Sequence, residues 1–321
     1  MRDAILRTLI ELAADDPRVV LLTGDLGFSV VEAFAERFPD RFFNVGVAEQ
    51  DMVGIATGMA EAGFIPFTYS IATFSALRPY EFIRNGPVHH QLPVRILAVG
   101  GGFEYGNAGP THHCLEDLAV MRPLAGLTVV APADHQQAAT ALGATWDLPG
   151  PVYYRLGKDD RSVVPGLDGR FELGRAQTVR PGGGGVAIVA LGPLAGEAVA
   201  AAKELEATGT RCGVTVVASV SPVPVADLLR ALDGVHTAVT VESHSIVGGL
   251  GSLVCEVVAE HGLGARVMRC GVRAPLDGVS GGEKFLNARH GLHRDAIVRA
   301  VRDALGGVAG GTVPSGGAAS W

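Results

Sequence analysis

The chain passes from a strand-like apolar segment into a Gly- and Ala-rich helix at Asn44-Val45-Gly46-Val47-Ala48-Glu49-Gln50-Asp51-Met52, and Val53-Gly54-Ile55-Ala56-Thr57-Gly58-Met59-Ala60 continues that helix. Glu49 stands at the junction, where its small and apolar neighbours offer little hydration. Burial disfavours an ionised carboxylate and a helix N-terminus favours it, so the sequence leaves open which effect prevails. Such an acid either has a dedicated partner or satisfies the free backbone N–H groups of the helix start.

Short apolar runs alternate with helix-length segments through the chain. They lie at residues 19–22, 42–45, 65–69, 94–99 and 127–130, and again at 186–191, 213–217, 238–241 and 266–269. Strands that are apolar on both faces and separated by helices indicate parallel sheets covered by helices. The pattern therefore predicts two α/β domains with mostly parallel sheets.

Breaks in this pattern divide the chain. Asp159, Asp160 and Pro165 interrupt the periodicity, which predicts a first domain at residues 1–165 and a second, smaller one at 166–305. Residues 306–321 consist mostly of Gly, Ala, Ser and Pro, which bury too little apolar surface to offset the entropy of ordering. They predict a flexible tail.

Composition excludes several classes of function. The chain has 321 residues, 48% of them hydrophobic, and a net charge of -7, which gives no basic footprint for nucleic acid. No apolar run approaches the roughly 18 residues of a membrane span, and no signal peptide is recognised at the N-terminus, so we expect a cytoplasmic protein. The 4 cysteines are widely spaced and form no C-x-x-C pair, so we expect neither a disulfide framework nor a zinc knuckle, and we assign no metal-ligating residue in this chain.

Two further motifs follow the Glu49 segment. Tyr69-Ser70-Ile71-Ala72-Thr73-Phe74 has the pattern of a strand that ends in an aromatic residue, and Gly109-Pro110-Thr111-His112-His113 is a rigid turn with two imidazoles. Together with Val47-Ala48-Glu49-Gln50, they resemble the pyrimidine-binding half of the transketolase family of thiamine diphosphate enzymes. The resemblance covers roughly residues 1–305, and the combination of motifs is much more specific than either alone.

The resemblance implies cofactor-binding roles for several side chains. In this family, a glutamate at the position of Glu49 hydrogen-bonds to a ring nitrogen of the cofactor's aminopyrimidine and so activates the cofactor. An aromatic residue at the position of Phe74 stacks on that pyrimidine, and Tyr80 would extend the aromatic wall. Ordinary core packing is the alternative for both aromatic residues.

The histidine turn implies contact with substrate. The family directs an imidazole of the Gly-Pro-Thr-His motif at the substrate carbonyl, where it donates to a developing oxyanion and transfers a proton. We assign this catalytic role to His112 in preference to His113, which we retain as a substrate-binding candidate. The alternative is a solvent-exposed turn histidine.

Four other residues are candidates from the same resemblance. Asp25 and Ser29 follow the first buried strand, at the sheet edge where α/β proteins bind ligands; Asp25 would lie near the cofactor and Ser29 near a substrate phosphate. Arg155 and Arg2 resemble arginines that hold a sugar phosphate, since a guanidinium group binds phosphate in a bidentate manner. Both arginines could instead be solvated surface residues.

Two positions depart from the family pattern. Ala108 stands where transketolases carry an aspartate that recognises a sugar hydroxyl, and Gly100 replaces another histidine. The loss of these polar groups leaves the donor and the acceptor undetermined, because specificity depends on paired buried donors and acceptors.

A whole element of the family is also missing. The chain has no Gly-Asp-Gly segment with a later asparagine, the motif with which the family binds Mg²⁺ and the diphosphate. The resemblance therefore implies that a separate N-terminal subunit holds the magnesium ion and the diphosphate, in a two-plus-two heterotetramer.

The resemblance thus implies the small subunit of a split transketolase-like enzyme, which transfers a two-carbon ketol unit from a ketose or ketose phosphate to an aldehyde. One alternative is a carboligase subunit of the 2-oxo acid dehydrogenase E1 beta type or of the deoxyxylulose phosphate synthase type. A second alternative is a non-catalytic assembly subunit.

Overall fold

Helices and strands alternate along the chain, as the apolar pattern predicts. The computed structural model describes residues 1–183, 185–273 and 278–309, with side chains described to residue 306. The strands are β1 (Val19–Thr23), β2 (Phe42–Asn44), β3 (Ile65–Ile71), β4 (Arg95–Val99), β5 (Thr128–Val130), β6 (Val152–Leu156), β7 (Ala176–Arg180), β8 (Val186–Leu191), β9 (Cys212–Val217), β10 (Ser219–Ser221), β11 (Thr237–Ser245) and β12 (Arg266–Val272). The helices are α1 (Arg2–Asp15), α2 (Glu32–Arg37), α3 (Glu49–Glu61), α4 (Ala72–Leu77), α5 (Tyr80–Ile83), α6 (Asp117–Met121), α7 (His135–Thr145), α8 (Ala195–Ala207), α9 (Val225–Leu232), α10 (Leu250–Glu260), α11 (Glu283–Arg289) and α12 (Arg294–Ala309).

The strands form two sheets. The first has the order β10-β5-β6-β4-β3-β1-β2 and is parallel except for β10, and the second has the order β12-β11-β8-β9-β7 and is parallel except for β7. Every residue of β1, β3, β4 and β6 is buried, because helices cover both faces of the sheet at these strands. The prediction of two mostly parallel α/β domains is confirmed.

The two halves of the chain share a sheet, which the sequence does not predict. Strand β10 lies in the second half, yet Ser219 and Ser221 pair antiparallel with Val130 and Val129 of β5. A three-residue strand is too short to produce a periodic signal, so only the tertiary structure reveals this pairing. Apolar packing also crosses the boundary, since one cluster joins Leu22 of the first sheet to Leu250 of the second half.

Residues 157–175 connect the halves without a helix or strand, and the predicted boundary after residue 165 falls within this connector. Helix α12 continues to Ala309, three residues past the predicted start of the tail at residue 306. Its apolar residues, such as Val298 and Val301, pack into the second core, and the last turns extend from that anchor. The rest of the predicted tail, 310–321, lies outside the described residues. Among the described helices, none is both long and apolar enough to cross a bilayer.

A buried ion pair in the first half also contacts the second half. Asp117 of α6 accepts hydrogen bonds from Arg155 Nε at 2.8 Å and from the Tyr153 hydroxyl at 2.9 Å, and all three side chains are buried. Arg155 Nη2 also donates to the backbone carbonyls of Cys114 at 3.1 Å and of Ser243 at 3.0 Å, the latter in β11 of the second half. Burial opposes ionisation of Asp117, but the charge of Arg155 and these hydrogen bonds hold its pKa below the usual value.

The Asp117–Arg155 pair should contribute to the stability of the folded chain. We expect Asp117→Asn to lower the free energy of unfolding by about 3–5 kcal/mol, because it leaves the buried Arg155 charge uncompensated. Asp16→Asn is the control: it removes the partner of Arg18, whose side chain is 58% exposed, and should cost about 1 kcal/mol or less. Urea unfolding followed by circular dichroism measures both. Equal losses in the two variants would contradict the stabilising role of the buried Asp117–Arg155 pair.

Candidate active site

The proposed site lies at the carboxyl edge of the first sheet. The neighbouring strands β1, β3 and β4 end there at Thr23, Ile71 and Val99, and the loops that follow them carry most of the candidate residues. Open α/β sheets bind ligands at this edge, because the loops and helix N-termini gather there.

Glu49 is the first residue of α3 and is only 1% exposed. Both of its carboxylate oxygens have partners: Ser70 Oγ donates to Oε1 at 2.9 Å, and Arg78 Nη1 donates to Oε2 at 2.7 Å. The positive end of the α3 dipole adds to this stabilisation. Arg78 is therefore the charged partner that the buried Glu49 requires. The sequence analysis did not single it out.

Phe74 is connected to this carboxylate through Arg78, and it does not lie in the predicted element. It sits in α4 and not at the end of β3, which stops at Ile71. The Arg78 guanidinium carbon lies 3.9 Å from the centre of the Phe74 ring, and His112 meets the same ring edge-on with centroids 5.1 Å apart. The structure thus links Glu49 to Phe74 through Arg78, and Phe74 to His112 through their ring contact.

His112 ends a short 3-10 helix at Pro110–His112. Gly109 precedes this helix at φ 89°, ψ -179°, a backbone conformation essentially confined to glycine. The ring is half-buried, and Thr111 Oγ1 lies 3.0 Å from its Nδ1. This hydrogen bond orients the imidazole and leaves its Nε2 as the atom for a ligand.

The neighbouring His113 points elsewhere. It is 5% exposed and packs edge-on against Phe103, with centroids 5.1 Å apart, while Phe103 stacks on His290. Burial lowers the pKa of His113 and so favours the neutral ring. Because its ring lies between the two halves of the chain, we do not include His113 in the proposed substrate site.

Asp25 and Ser29 lie in the exposed loop after β1, at the predicted edge. Both have left-handed backbone conformations, with φ 58° and φ 61°. Asn44 ties this loop to the end of β2, since its Nδ2 donates to Asp25 Oδ1 at 2.9 Å and its Oδ1 accepts from the Asp25 amide at 3.1 Å. The loop also approaches Glu49, because a Cβ on Gly24 would lie 3.4 Å from Glu49 Oε1.

The remaining candidates are not brought to Glu49. Arg155 is 5% exposed and its Nε and Nη2 hydrogen-bond inside the interdomain network, so the expectation that it holds a phosphate does not fit its position. Arg2 is half-buried beside the Tyr105 phenol. Tyr80 packs against the first apolar cluster, as the core-packing alternative predicts, and we do not carry it into the proposed site.

Arg78, Ser70 and Asn44 are the residues that sequence reasoning missed. One signal for Arg78 was available: it follows Phe74 by four positions in a helical segment, which places both side chains on one face. The contact of Ser70 with Glu49 joins β3 to α3 and has no local signature in the sequence.

The structure leaves no room for a side chain at position 100, where the family carries a histidine. Gly100 has φ 84°, and a Cβ there would come within 2.2 Å of the Tyr105 ring. Tyr105 therefore fills the space that a side chain at position 100 would need. The substrate side of the site consequently differs from one that carries a histidine at this position.

Comparisons with known proteins agree with this arrangement. Residues 1–161 match the family model of the transketolase pyrimidine binding domain, and residues 174–297 match that of the transketolase C-terminal domain. The chain is 34% identical to the "putative transketolase C-terminal section" of Methanocaldococcus jannaschii, over 95% of this chain and 96% of that protein. The chain belongs to the transketolase family.

Two further relatives bear on its organisation. A solved structure described as "split gene transketolase, inactive beta4 tetramer" matches with a TM-score of 0.86 and 38% identity, over 95% of this chain and 98% of that one. The 1-deoxy-D-xylulose-5-phosphate synthase of Thioalkalivibrio sulfidiphilus is 35% identical over 94% of this chain, which spans only 46% of that relative. The chain thus corresponds to about half of a single-chain relative.

The packing of Tyr105 against Gly100 allows a prediction about the stability of a variant. We expect Gly100→Ala to lower the free energy of unfolding by about 2–4 kcal/mol, for two reasons. The alanine would have to adopt a left-handed backbone conformation, and its methyl group would overpack against Tyr105. Gly192→Ala is the matched control, since Gly192 has φ 63° and a Cβ added there would meet no atom within 4 Å. It should lose only the backbone cost of about 1 kcal/mol. Urea unfolding measures the free energy of unfolding of both variants. Equal losses of stability would argue against the contact with Tyr105.

Proposed function

We propose that this chain is the pyrimidine-binding and C-terminal subunit of a split transketolase-like enzyme, in which a partner subunit supplies the diphosphate and Mg²⁺ site. The observation that carries the proposal is the constellation of Glu49, Phe74 and His112 at one sheet edge. Among the described residues, no group of three or more His, Cys, Asp or Glu side chains is arranged to hold a metal ion. The similarity to a solved structure described as a split gene transketolase supports a second chain as the source of the diphosphate site.

The residues present fit the aminopyrimidine of thiamine diphosphate. A buried carboxylate lies beside an aromatic ring, which matches a flat heterocycle with a basic ring nitrogen. When bound, thiamine diphosphate supplies the carbon nucleophile that carries the transferred two-carbon unit. Glu49 would share a proton with the pyrimidine ring nitrogen, Phe74 would stack on the ring, and His112 Nε2 would donate a hydrogen bond to the substrate oxygen as charge develops there.

The surface around the site supports a partner subunit. Large apolar side chains are exposed on the loops and helices that surround Glu49: Phe28 at 90%, Val47 at 69%, Leu77 at 43% and Ile55 at 42%. Apolar surface of this kind is typical of a protein interface. We propose a two-plus-two heterotetramer, and the word "inactive" in the description of the solved beta4 tetramer agrees with a lone chain that lacks half of each site.

The proposed reaction is ketol transfer from a ketose or ketose phosphate to an aldehyde. We place Asp25 near the cofactor, and Ser29, in the same exposed loop, near the substrate; the half-buried Arg2 remains a candidate for an anionic substrate. The cytoplasm is the proposed compartment, since Cys114, Cys212, Cys255 and Cys270 are free thiols.

A carboligase that decarboxylates a 2-oxo acid is the second candidate. The absence of a histidine at Gly100 and of an aspartate at Ala108 favours it, as does the similarity to a 1-deoxy-D-xylulose-5-phosphate synthase. Incubation of the reconstituted pair with pyruvate or with a ketose phosphate distinguishes the two candidate functions. Decarboxylation of pyruvate releases CO2, whereas ketol transfer from a ketose phosphate does not. The intact Glu49 argues against a third candidate, a non-catalytic assembly subunit.

Glu49→Gln tests the cofactor role. We expect the reconstituted pair to lose about 10²–10⁴-fold in kcat, since the amide cannot share a proton with the pyrimidine. Glu61→Gln, at the other end of α3, removes the same charge from an exposed position and should retain activity. Steady-state kinetics with a saturating donor, together with circular dichroism to verify folding, measure the effect. Full activity of Glu49→Gln with the partner present would contradict the assignment.

A further inference from the structure

The Arg78 guanidinium makes two contacts at once, and both belong to the proposed cofactor site. Its Nη1 donates to Glu49 Oε2 at 2.7 Å, and its central carbon lies 3.9 Å above the centre of the Phe74 ring. The group is flat, carries hydrogen-bond donors along its edge and stacks on aromatic faces. An aminopyrimidine that hydrogen-bonds to Glu49 Oε2 and stacks on the face of Phe74 covered by Arg78 would have to replace the guanidinium.

We propose that Arg78 occupies the place of the cofactor's pyrimidine whenever the cofactor is absent, in the lone chain and in the assembled pair, and that it must leave this place before the cofactor binds. The inference rests on the proposed function, because it assumes that Glu49 and Phe74 receive the pyrimidine. It adds a residue that determines cofactor affinity and that does not itself act on the substrate.

A physical reason explains why the free chain holds an arginine there. Glu49 is 1% exposed, and a buried carboxylate without a partner is strongly destabilising. Ser70 satisfies only Oε1, so Arg78 supplies both the second hydrogen bond and the compensating charge. The Arg78 side chain is 44% exposed, which leaves it a path into solvent when the pyrimidine takes over its contacts.

Occupation of the site by Arg78 weakens the apparent affinity for the cofactor. The apparent dissociation constant equals the intrinsic one divided by the fraction of chains in which the site is open. If Arg78 is displaced in about one chain in ten, its removal tightens cofactor binding about tenfold.

Calorimetric titration of thiamine diphosphate into the reconstituted pair, with Mg²⁺ and without substrate, tests the proposal independently of turnover. We expect Arg78→Gln to lower the dissociation constant about three- to tenfold relative to the unmodified pair. Arg78→Lys keeps the charge without the flat stacking group, so its dissociation constant should fall between the two. Arg161→Gln is the matched control, because Arg161 is 96% exposed and its loss should leave cofactor binding unchanged.

Equal or weaker cofactor binding by Arg78→Gln would overturn the proposal, since Arg78 would then not compete with the pyrimidine. If the unmodified pair binds the cofactor, that result leaves the proposed function standing. If the unmodified pair binds none, the proposed function fails and the inference fails with it.

A structure of the cofactor-loaded, unmodified pair is an independent check should Arg78→Gln fail to fold. We expect the Arg78 guanidinium to have left the Phe74 face and Glu49 Oε2. An intact contact between Arg78 and Glu49 beside a bound pyrimidine would overturn the proposal.

Discussion

A buried carboxylate has to be compensated, and the site depends on how this chain meets that requirement at Glu49. The helix start supplies a favourable dipole, β3 supplies the Ser70 hydroxyl, and α4 leads to Arg78. Each contribution comes from a different element, so the carboxylate is oriented only when α3, β3 and α4 are packed together. The same contacts place Phe74 next to Glu49, because Phe74 and Arg78 share one face of a helical segment.

A second buried ion pair, between Asp117 and Arg155, helps to hold the two halves of the chain together. Asp117 and Arg155 belong to the first half, and Arg155 extends the network to the Ser243 carbonyl in the second. Arg155 also binds the carbonyl of Cys114, two residues after His112. One guanidinium group therefore contributes both to the contact between the halves and to the position of the histidine turn. Strand β10 reinforces this connection, because it adds residues of the second half to the first sheet.

The transketolase fold and the proposed chemistry are recognised from different features. The paired α/β domains follow from apolar runs, which many unrelated proteins share. The proposed chemistry follows from the few residues around Glu49, Phe74 and His112. At Gly100 the residue departs from the family pattern, and Tyr105 packs where a side chain at this position would lie. The substrate-binding side of the site is thus the part that family resemblance describes least well.

The sequence by itself determined what depends on local pattern and residue type. It predicted the two sheets, the helix start at Glu49 and the glycine-bounded histidine turn, since periodicity and backbone preference act over a few residues. Only the tertiary structure decided which side chains meet. Arg155 has the residue type of a phosphate ligand but is buried between the halves, His113 turns away from His112, and Arg78 reaches Glu49 across 29 positions of chain. These outcomes depend on burial and on contacts between distant segments, which local pattern does not encode.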